Sequence, residues 1–187
     1  MNWELATGYR LSTGMFCVNI IAGVKIPVGL DATVYCDCFE KGTIRMPPPQ
    51  PELVYVELSG QVSLRWEEPQ ADQRGFYDWL AGCCEHGPMG ELVSHRLGNF
   101  ALIGILREML AETPDRFPVL LTKVLYDGGH AGDYLVLDEV NNLAVEIDLL
   151  KNIHGRGKDG ENLIRRFQQQ ISELVGAALS VRKPIAF

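Results

Sequence analysis

Two hydrophobic periods divide the chain, and this division constrains the fold more than any other sequence feature. Alternating apolar residues come first, at 53–58 and 61–66 on either side of a Ser-Gly turn, and predict a β-hairpin. A period near 3.6 residues follows later, most clearly over 161–181, and predicts a long amphipathic helix. Strands followed by helices, without βαβ alternation, indicate an α+β class in a single domain over 30–187.

Shorter signals of the same two kinds predict the remaining elements, which are strands at 34–39 and 92–95 and helices at 75–84, 99–111 and 138–153. Asn99 and Asp138 are the residue types that cap helix N-termini, and both stand at the predicted starts. Residues 117–126 are apolar and fit either a strand or a helix, because periodicity alone does not distinguish the two here.

The first 29 residues stand apart from this pattern. Residues 15–24 are apolar, but the run is too short for a transmembrane helix, and a single Arg10 is a poor basic region for a signal peptide. We therefore expect residues 1–29 to be an N-terminal extension or an edge strand, with Met15 as an alternative start of translation. The protein is expected to be cytoplasmic.

The net charge excludes some classes of partner. The formal charge is 17 − 24 = −7, which argues against generic binding to nucleic acid or to an anionic membrane. Residues 1–150 contribute 10 − 21 = −11, whereas residues 151–187 contribute 7 − 3 = +4. The division fits an acidic surface that binds a basic protein partner, or a basic helix lying on an acidic body. Homo-oligomerisation is left open.

The cysteines are the most informative candidates for chemistry. Five are too few, and odd in number, for a secreted disulfide scaffold. Cys36 and Cys38 form a C-x-C pair that, on a strand, would place both sulfurs on one face. Cys84 and His86 follow a predicted helix, and the four residues together match a zinc site by ligand type, although not by C-x2-C spacing. The adjacent Cys83 is an alternative ligand. The alternatives are buried structural thiols or a redox pair.

A glycine-rich loop holds a second set of candidates. His130 and Asp133 stand three residues apart beside glycines, which suits a histidine oriented by a carboxylate or two ligands of one cation. Together with His95 they are the candidate catalytic residues. The alternative is a simple Gly-Gly turn between two elements. The phosphate-binding, dinucleotide-binding and zinc-protease motifs do not occur, so these residues fit no established catalytic spacing.

A third candidate lies before a predicted helix. Arg96 and Asn99 precede free helix amides and could bind an anion there. The alternative is that Asn99 is only a cap and that Arg96 pairs with an acidic residue.

Several segments also carry a family resemblance, namely VYCDCFEKG (34–42), CEH (84–86), HRLGN (95–99), HAGDYL (130–135) and KPIAF (183–187). With these segments the chain, from residue 30 onward, resembles an uncharacterised family of small bacterial proteins with no assigned activity. The resemblance therefore implies no catalytic roles. Proteins of this size and kind often look like immunity or accessory proteins of bacterial toxin systems.

Two functional hypotheses follow. The first is an acidic protein-binding module, for example an immunity protein that neutralises a basic partner through electrostatic steering. The alternative is a small metal-binding or hydrolytic enzyme with a Cys/His/Asp site, for which zinc is the expected metal. Whether the protein is an enzyme is left open.

Overall fold

The computed structural model describes residues 29–127, 132–155 and 157–187, and it confirms the α+β class. The strands are β1 (Gly29–Tyr35), β2 (Val54–Val56), β3 (Val62–Leu64), β4 (Glu91–Asn99), β5 (Tyr134–Leu135) and β6 (Ile185–Ala186). The α-helices are α1 (Gln73–Leu80), α2 (Phe100–Leu110), α3 (Leu137–Leu150) and α4 (Gly157–Val181). The predicted extension over 1–29 lies outside the described residues except for Gly29, which begins β1.

A four-stranded antiparallel sheet in the order β4-β1-β6-β5 forms the centre of the fold. β1 pairs with β4 along its whole length, from Gly29 opposite Asn99 to Tyr35 opposite Glu91. The short β6 lies between β1 and β5, with Ala186 opposite Thr33. β5 and β6 were not predicted from the sequence, because two residues are too few for a period-two signal.

Helices α2, α3 and α4 pack with this sheet around one hydrophobic core, and we call these elements the main body. The apolar stripe predicted on α4 is confirmed, since Phe167, Ile171 and Leu174 are fully buried. Burial of such side chains is the main stabilising contribution to this part of the molecule. None of the described helices combines the length and the apolar character needed to cross a membrane.

Residues 36–90 form a small lobe with a core of its own. The predicted hairpin is confirmed as β2 and β3, paired antiparallel with Tyr55 opposite Ser63. Helix α1 contributes Phe76 and Trp79 to the same core as the hairpin, and the Trp79 indole donates a hydrogen bond to the Met46 carbonyl at 2.8 Å. The buried residues of the lobe core are Cys36, Leu53, Val62, Leu64, Phe76, Trp79, Leu80, Cys83 and Cys84.

The two predicted helix caps have different outcomes. Asn99 caps α2, because its side-chain oxygen accepts a hydrogen bond from the Leu102 amide at 3.0 Å. Asp138 is not a cap, and that prediction is wrong. Helix α3 begins at Leu137, and the Glu139 carboxylate instead reaches back to the Val136 amide at 3.1 Å.

The ambiguous segment 117–126 is helical, with a π-helical turn at Leu120–Val124. Glu146 on α3 determines where this turn begins. Its buried carboxylate accepts hydrogen bonds from the amides of Val119 and Leu120, at 2.7 and 2.9 Å. Amides at a helix start have no partner within the helix, so a buried carboxylate at this position satisfies them.

Candidate metal site

The C-x-C pair lies where β1 ends and a turn begins, and not on a strand, which corrects the prediction for residues 34–39. β1 ends at Tyr35, and the Lys41 amide then donates to the Asp37 carbonyl at 2.9 Å, so the chain coils instead of extending. The Thr43 amide closes the turn on the Cys38 carbonyl at 2.9 Å. This turn, and not the alternation of a strand, brings the two sulfurs to one point.

The second pair of ligand residues comes from the loop that follows α1. This loop is fixed to the first, because the Arg45 amide donates to the Cys83 carbonyl at 2.7 Å. The Cys36 amide also donates to the Gly90 carbonyl at 2.8 Å, just before β4 begins. Backbone hydrogen bonds thus hold both loops in place without any contribution from the cysteine and histidine side chains.

Four side chains converge where these loops meet. The Sγ atoms of Cys36, Cys38 and Cys84 and a ring nitrogen of His86 all lie within 4.8 Å of one another. The Sγ atoms of Cys36 and Cys84 are 3.8 Å apart, and Cys38 Sγ is 3.4 Å from His86 Nδ1. Tetrahedral zinc with ordinary bond lengths separates two sulfurs by about 3.8 Å and a sulfur from a nitrogen by about 3.5 Å. The cluster therefore has the dimensions needed to hold a metal ion.

The site is buried on one side and open on the other. Cys36 and Cys84 are buried, Cys38 is half-buried and His86 is exposed. Burial is the main cause that raises the pKa of Cys36 to about 12, so its thiol is protonated at neutral pH. A metal ion that binds here must displace this proton, because thiolates are the ligands.

Cys83 is adjacent to the cluster but is not part of it. Its Sγ donates a hydrogen bond to the Leu80 carbonyl at 3.4 Å, and burial raises the pKa of its thiol to about 11. The neighbouring Cys84 has its Sγ in the cluster. Adjacent cysteines therefore have different roles, and the sequence alone left both open.

Two of the candidate catalytic residues, His95 and Asp133, contact different partners. His95 on β4 contacts Glu173, with 2.7 Å between Nε2 and Oε2, while Asp133 accepts a hydrogen bond from the Tyr126 hydroxyl at 2.6 Å. β4 and β5 are opposite edges of the sheet, so His95 and the residue before β5 are about 14 Å apart at ordinary strand spacing. His130 lies outside the described residues.

His95 and Glu173 instead form a local pair between β4 and α4. Hydrogen bonds from Gln169 and then from His95 lower the pKa of the Glu173 carboxyl. Such a pair connects the sheet to the helix that covers it.

The candidate anion-binding residues have structural contacts. The side-chain oxygen of Asn99 is occupied by the Leu102 amide. The Arg96 guanidinium lies against Gly29. The backbone carbonyl of Arg96 accepts a hydrogen bond from the Gln170 side chain at 3.2 Å. Both residues line a cavity of about 450 Å³, and anion binding there remains a prediction.

Two buried charged residues, Glu146 and Lys183, were not predicted from the sequence. Glu146 is a charged residue within the apolar stripe of α3, and this break in the pattern is the signal that could have identified it. Lys183 is the other buried charged residue in the described part of the chain, and no local pattern marks it.

Fold and cluster together define a class: an α+β protein whose small lobe holds three thiols and one imidazole arranged to hold a metal ion. No family model, curated protein or solved structure matches this chain. The resemblance to a family of small bacterial proteins remains a prediction.

Proposed function

We propose that this protein binds one Zn²⁺ ion through Cys36, Cys38, Cys84 and His86, and that the ion is structural. The main support for this proposal is that all four donor atoms lie within 4.8 Å of one another. Thiolate and imidazole ligands in a tetrahedral arrangement favour zinc over the oxygen-preferring ions magnesium and calcium.

Two features favour a structural role over a catalytic one. Four protein ligands occupy all four coordination positions of a tetrahedral zinc ion, whereas catalytic sites keep one position open for water or substrate. The ligands also join two loops that are 48 residues apart, between Cys36 and Cys84. An ion bound there would cross-link the lobe in the way that a disulfide does in secreted domains.

The size of the lobe supports the same role. Residues 36–90 comprise 55 residues, and three of the nine buried residues in the lobe core are cysteines. Domains this small seldom reach useful stability from apolar burial alone and often include a metal or a disulfide. The proposed ion would supply the missing stabilisation.

The experiment is a zinc titration of the purified, reduced protein against a chromophoric chelator, with elemental analysis. We expect one zinc ion per chain. Cys84→Ser removes a ligand and is expected to weaken zinc binding by more than about 100-fold, since losing an outer-shell partner alone costs about 10- to 100-fold. Cys83→Ser is the matched control and should keep full stoichiometry, because Cys83 Sγ bonds to Leu80.

Two results would contradict the proposal. One is a wild-type protein that binds no zinc under reducing conditions. The other is a Cys36–Cys84 disulfide in the freshly isolated protein, detected as a mass lower by about two hydrogens, because a disulfide needs the sulfurs at about 2.05 Å and removes both thiolates.

A second proposed function is that the lobe binds a basic protein partner. Residues 36–90 contain nine acidic and four basic residues, a balance of 4 − 9 = −5. Large exposed apolar side chains are present on the same lobe, namely Met46, Tyr55, Leu58, Trp66 and Tyr77. Exposed aromatic residues beside acidic ones fit the composition of a binding surface.

Calorimetric titration against purified products of neighbouring genes tests this second function. We expect binding that weakens as salt rises and that falls at least tenfold in Trp66→Ser, because exposed tryptophans often dominate interface energies. Phe100→Ser, an equally apolar exposed change on the main body, is the control. Absence of binding at micromolar concentrations would contradict this function.

A further inference from the structure

A buried lysine joins the main body to the lobe beside the metal site. Lys183 is 5% exposed, and its Nζ lies 2.6 Å from Glu40 Oε2 and 3.1 Å from the Gly60 carbonyl oxygen. Lysine is almost never this buried unless its charge is paired. The contact therefore gives Lys183 two polar partners that both belong to the lobe.

The end of α4 directs Lys183 toward the lobe. The helix ends at Val181, and Arg182 adopts a left-handed conformation with φ of 56°. The Lys183 amide then donates to the Ala178 carbonyl at 3.0 Å, which is the hydrogen bond of a Schellman cap. This cap reverses the chain, and β6 begins two residues later.

On the lobe side, the same lysine contacts the turn that carries a metal ligand. Glu40 stands two residues after Cys38, within the turn that Thr43 closes on the Cys38 carbonyl. Gly60 is the other contact, and it forms the hairpin turn with φ of 87°. A Cβ at Gly60 would lie 3.3 Å from the Lys183 side chain, so glycine permits this close approach.

On the main-body side, the residues after Lys183 complete the sheet. Ile185 is fully buried in the main core, and Ala186 pairs with both Thr33 and Tyr134. The Phe187 amide donates to the Asp133 carbonyl at 2.9 Å. Movement of Lys183 would therefore shift a strand that lies between β1 and β5.

We propose that Lys183 is a positioning residue that couples metal binding at Cys36, Cys38, Cys84 and His86 to the docking of β6. The inference rests on the proposed zinc site. Through Glu40 the lysine holds the Cys38 turn in its binding conformation, and an ion that fixes the turn in return holds Lys183 and β6. Coupling of this kind is reciprocal, so each event favours the other by the same factor.

The first arm of the test measures zinc affinity in the full chain. Lys183→Met keeps the aliphatic stem and removes the charge, and we expect its zinc dissociation constant to rise about tenfold or more, as for other outer-shell losses. Lys183→Arg should recover most of the affinity. Glu40→Gln is a milder surface variant that tests the same contact if Lys183→Met does not fold, and it should weaken zinc binding in the same direction.

Lys151→Met is the matched control for charge removal. Lys151 forms an exposed pair with Asp148 at 2.7 Å at the end of α3, so its loss should leave zinc affinity unchanged. Circular dichroism of each variant establishes that its helices are intact. A merely structural role for Lys183 would lower thermal stability without changing the zinc dissociation constant of the folded protein.

The second arm measures hydrogen exchange of a peptide covering residues 183–187, with zinc and after chelation. In the wild type we expect chelation to speed exchange of this peptide severalfold, while a peptide from α3 keeps its protection. In Lys183→Met the exchange should be fast in both states. If chelation speeds exchange equally in α3 and in residues 183–187, zinc stabilises the whole fold, and the specific coupling is overturned.

The failures of the two proposals are distinguishable. A wild-type protein that binds no zinc overturns the zinc site and the coupling together. A wild-type protein that binds zinc, with an unchanged dissociation constant in Lys183→Met or Glu40→Gln, overturns the coupling alone. The coupling alone is also overturned if hydrogen exchange of residues 183–187 in the wild type does not depend on zinc.

Discussion

The main body and the small lobe differ in the size and composition of their hydrophobic cores. Among the described residues, the main-body core contains 23 buried hydrophobic residues and no cysteine, and three helices cover its sheet. The lobe core contains nine buried residues, three of which are cysteines, behind a two-stranded hairpin and one short helix. A two-stranded hairpin is marginal in water without further support. The contrast is the reason that the ion is proposed in the lobe, which has the smaller apolar core.

Removal of the proposed metal ion is expected to have the largest effect, and to affect the lobe rather than the main body. We expect chelation to unfold the lobe and to leave the main body folded, because structural zinc contributes directly to folding energy. Trp79 is buried in the lobe core, so tryptophan emission should shift to the red. Far-ultraviolet circular dichroism should retain the signal of α2, α3 and α4. Loss of that helical signal in step with the fluorescence would contradict this expectation, because it would mean that the main-body helices also depend on the ion.

The next largest effect is expected within the main body. Glu146→Ala leaves the Val119 and Leu120 amides without their acceptor, and an unsatisfied buried donor costs about 1–3 kcal/mol. We expect the free energy of unfolding of the main body to fall by about 2–6 kcal/mol in urea denaturation, the cost of two such donors. Zinc affinity should not change, and Glu146→Gln, which keeps one acceptor, should lose less. A wild-type unfolding curve for Glu146→Ala would contradict this role.

A smaller effect of opposite sign is expected where the two regions meet. Arg182 has a left-handed backbone, which costs a non-glycine residue about 1–2 kcal/mol. Arg182→Gly removes this strain but adds freedom to the unfolded chain, so we expect a gain of up to about 1 kcal/mol in thermal or urea unfolding. A clear loss of stability would mean that the Arg182 side chain makes a stabilising contact.

The smallest effect concerns one polar contact in the main body. The hydrogen bond to Asp133 is the main cause that raises the pKa of Tyr126 to about 12. Because the pKa is raised in the folded state, the contact stabilises the fold fully at pH values below about 10, the ordinary pKa of tyrosine. This contribution is lost as pH rises through about 12.

Ultraviolet absorbance of phenolate measures this titration, taken as the difference between wild type and Tyr126→Phe. Asp133→Asn should return the Tyr126 transition toward the ordinary range, because the carboxylate no longer opposes phenolate formation. An unchanged titration in Asp133→Asn would contradict the assigned cause.

The sequence could predict the elements whose signals are local. The hairpin around Ser59 and Gly60, the Asn99 cap and the apolar stripe of α4 are confirmed, because each depends on residues close together in the chain. The four candidate metal ligands were predicted by residue type alone. The reason given for the C-x-C pair was wrong, since a turn and not a strand brings the sulfurs together.

What the sequence could not predict depends on distant pairing. β6 is two residues long and acquires its position from β1 and β5, so it has no periodicity of its own. Lys183 resembles any surface lysine until the fold places Glu40 and Gly60 beside it. The separation of His95 from Asp133 likewise follows from strand order, which no local pattern specifies.

The position of β6 has a kinetic consequence. Thr33 and Ala186, which pair across β1 and β6, are separated by 186 − 33 = 153 positions, whereas the sulfurs of Cys36 and Cys84 are 48 positions apart. Contacts of long sequence separation form slowly. On the ribosome the lobe can therefore close, and bind the proposed ion, long before residues 185–186 exist. Until they arrive, the edges of β1 and β5 that face β6 remain open, and this interval is when the nascent chain is most exposed to aggregation.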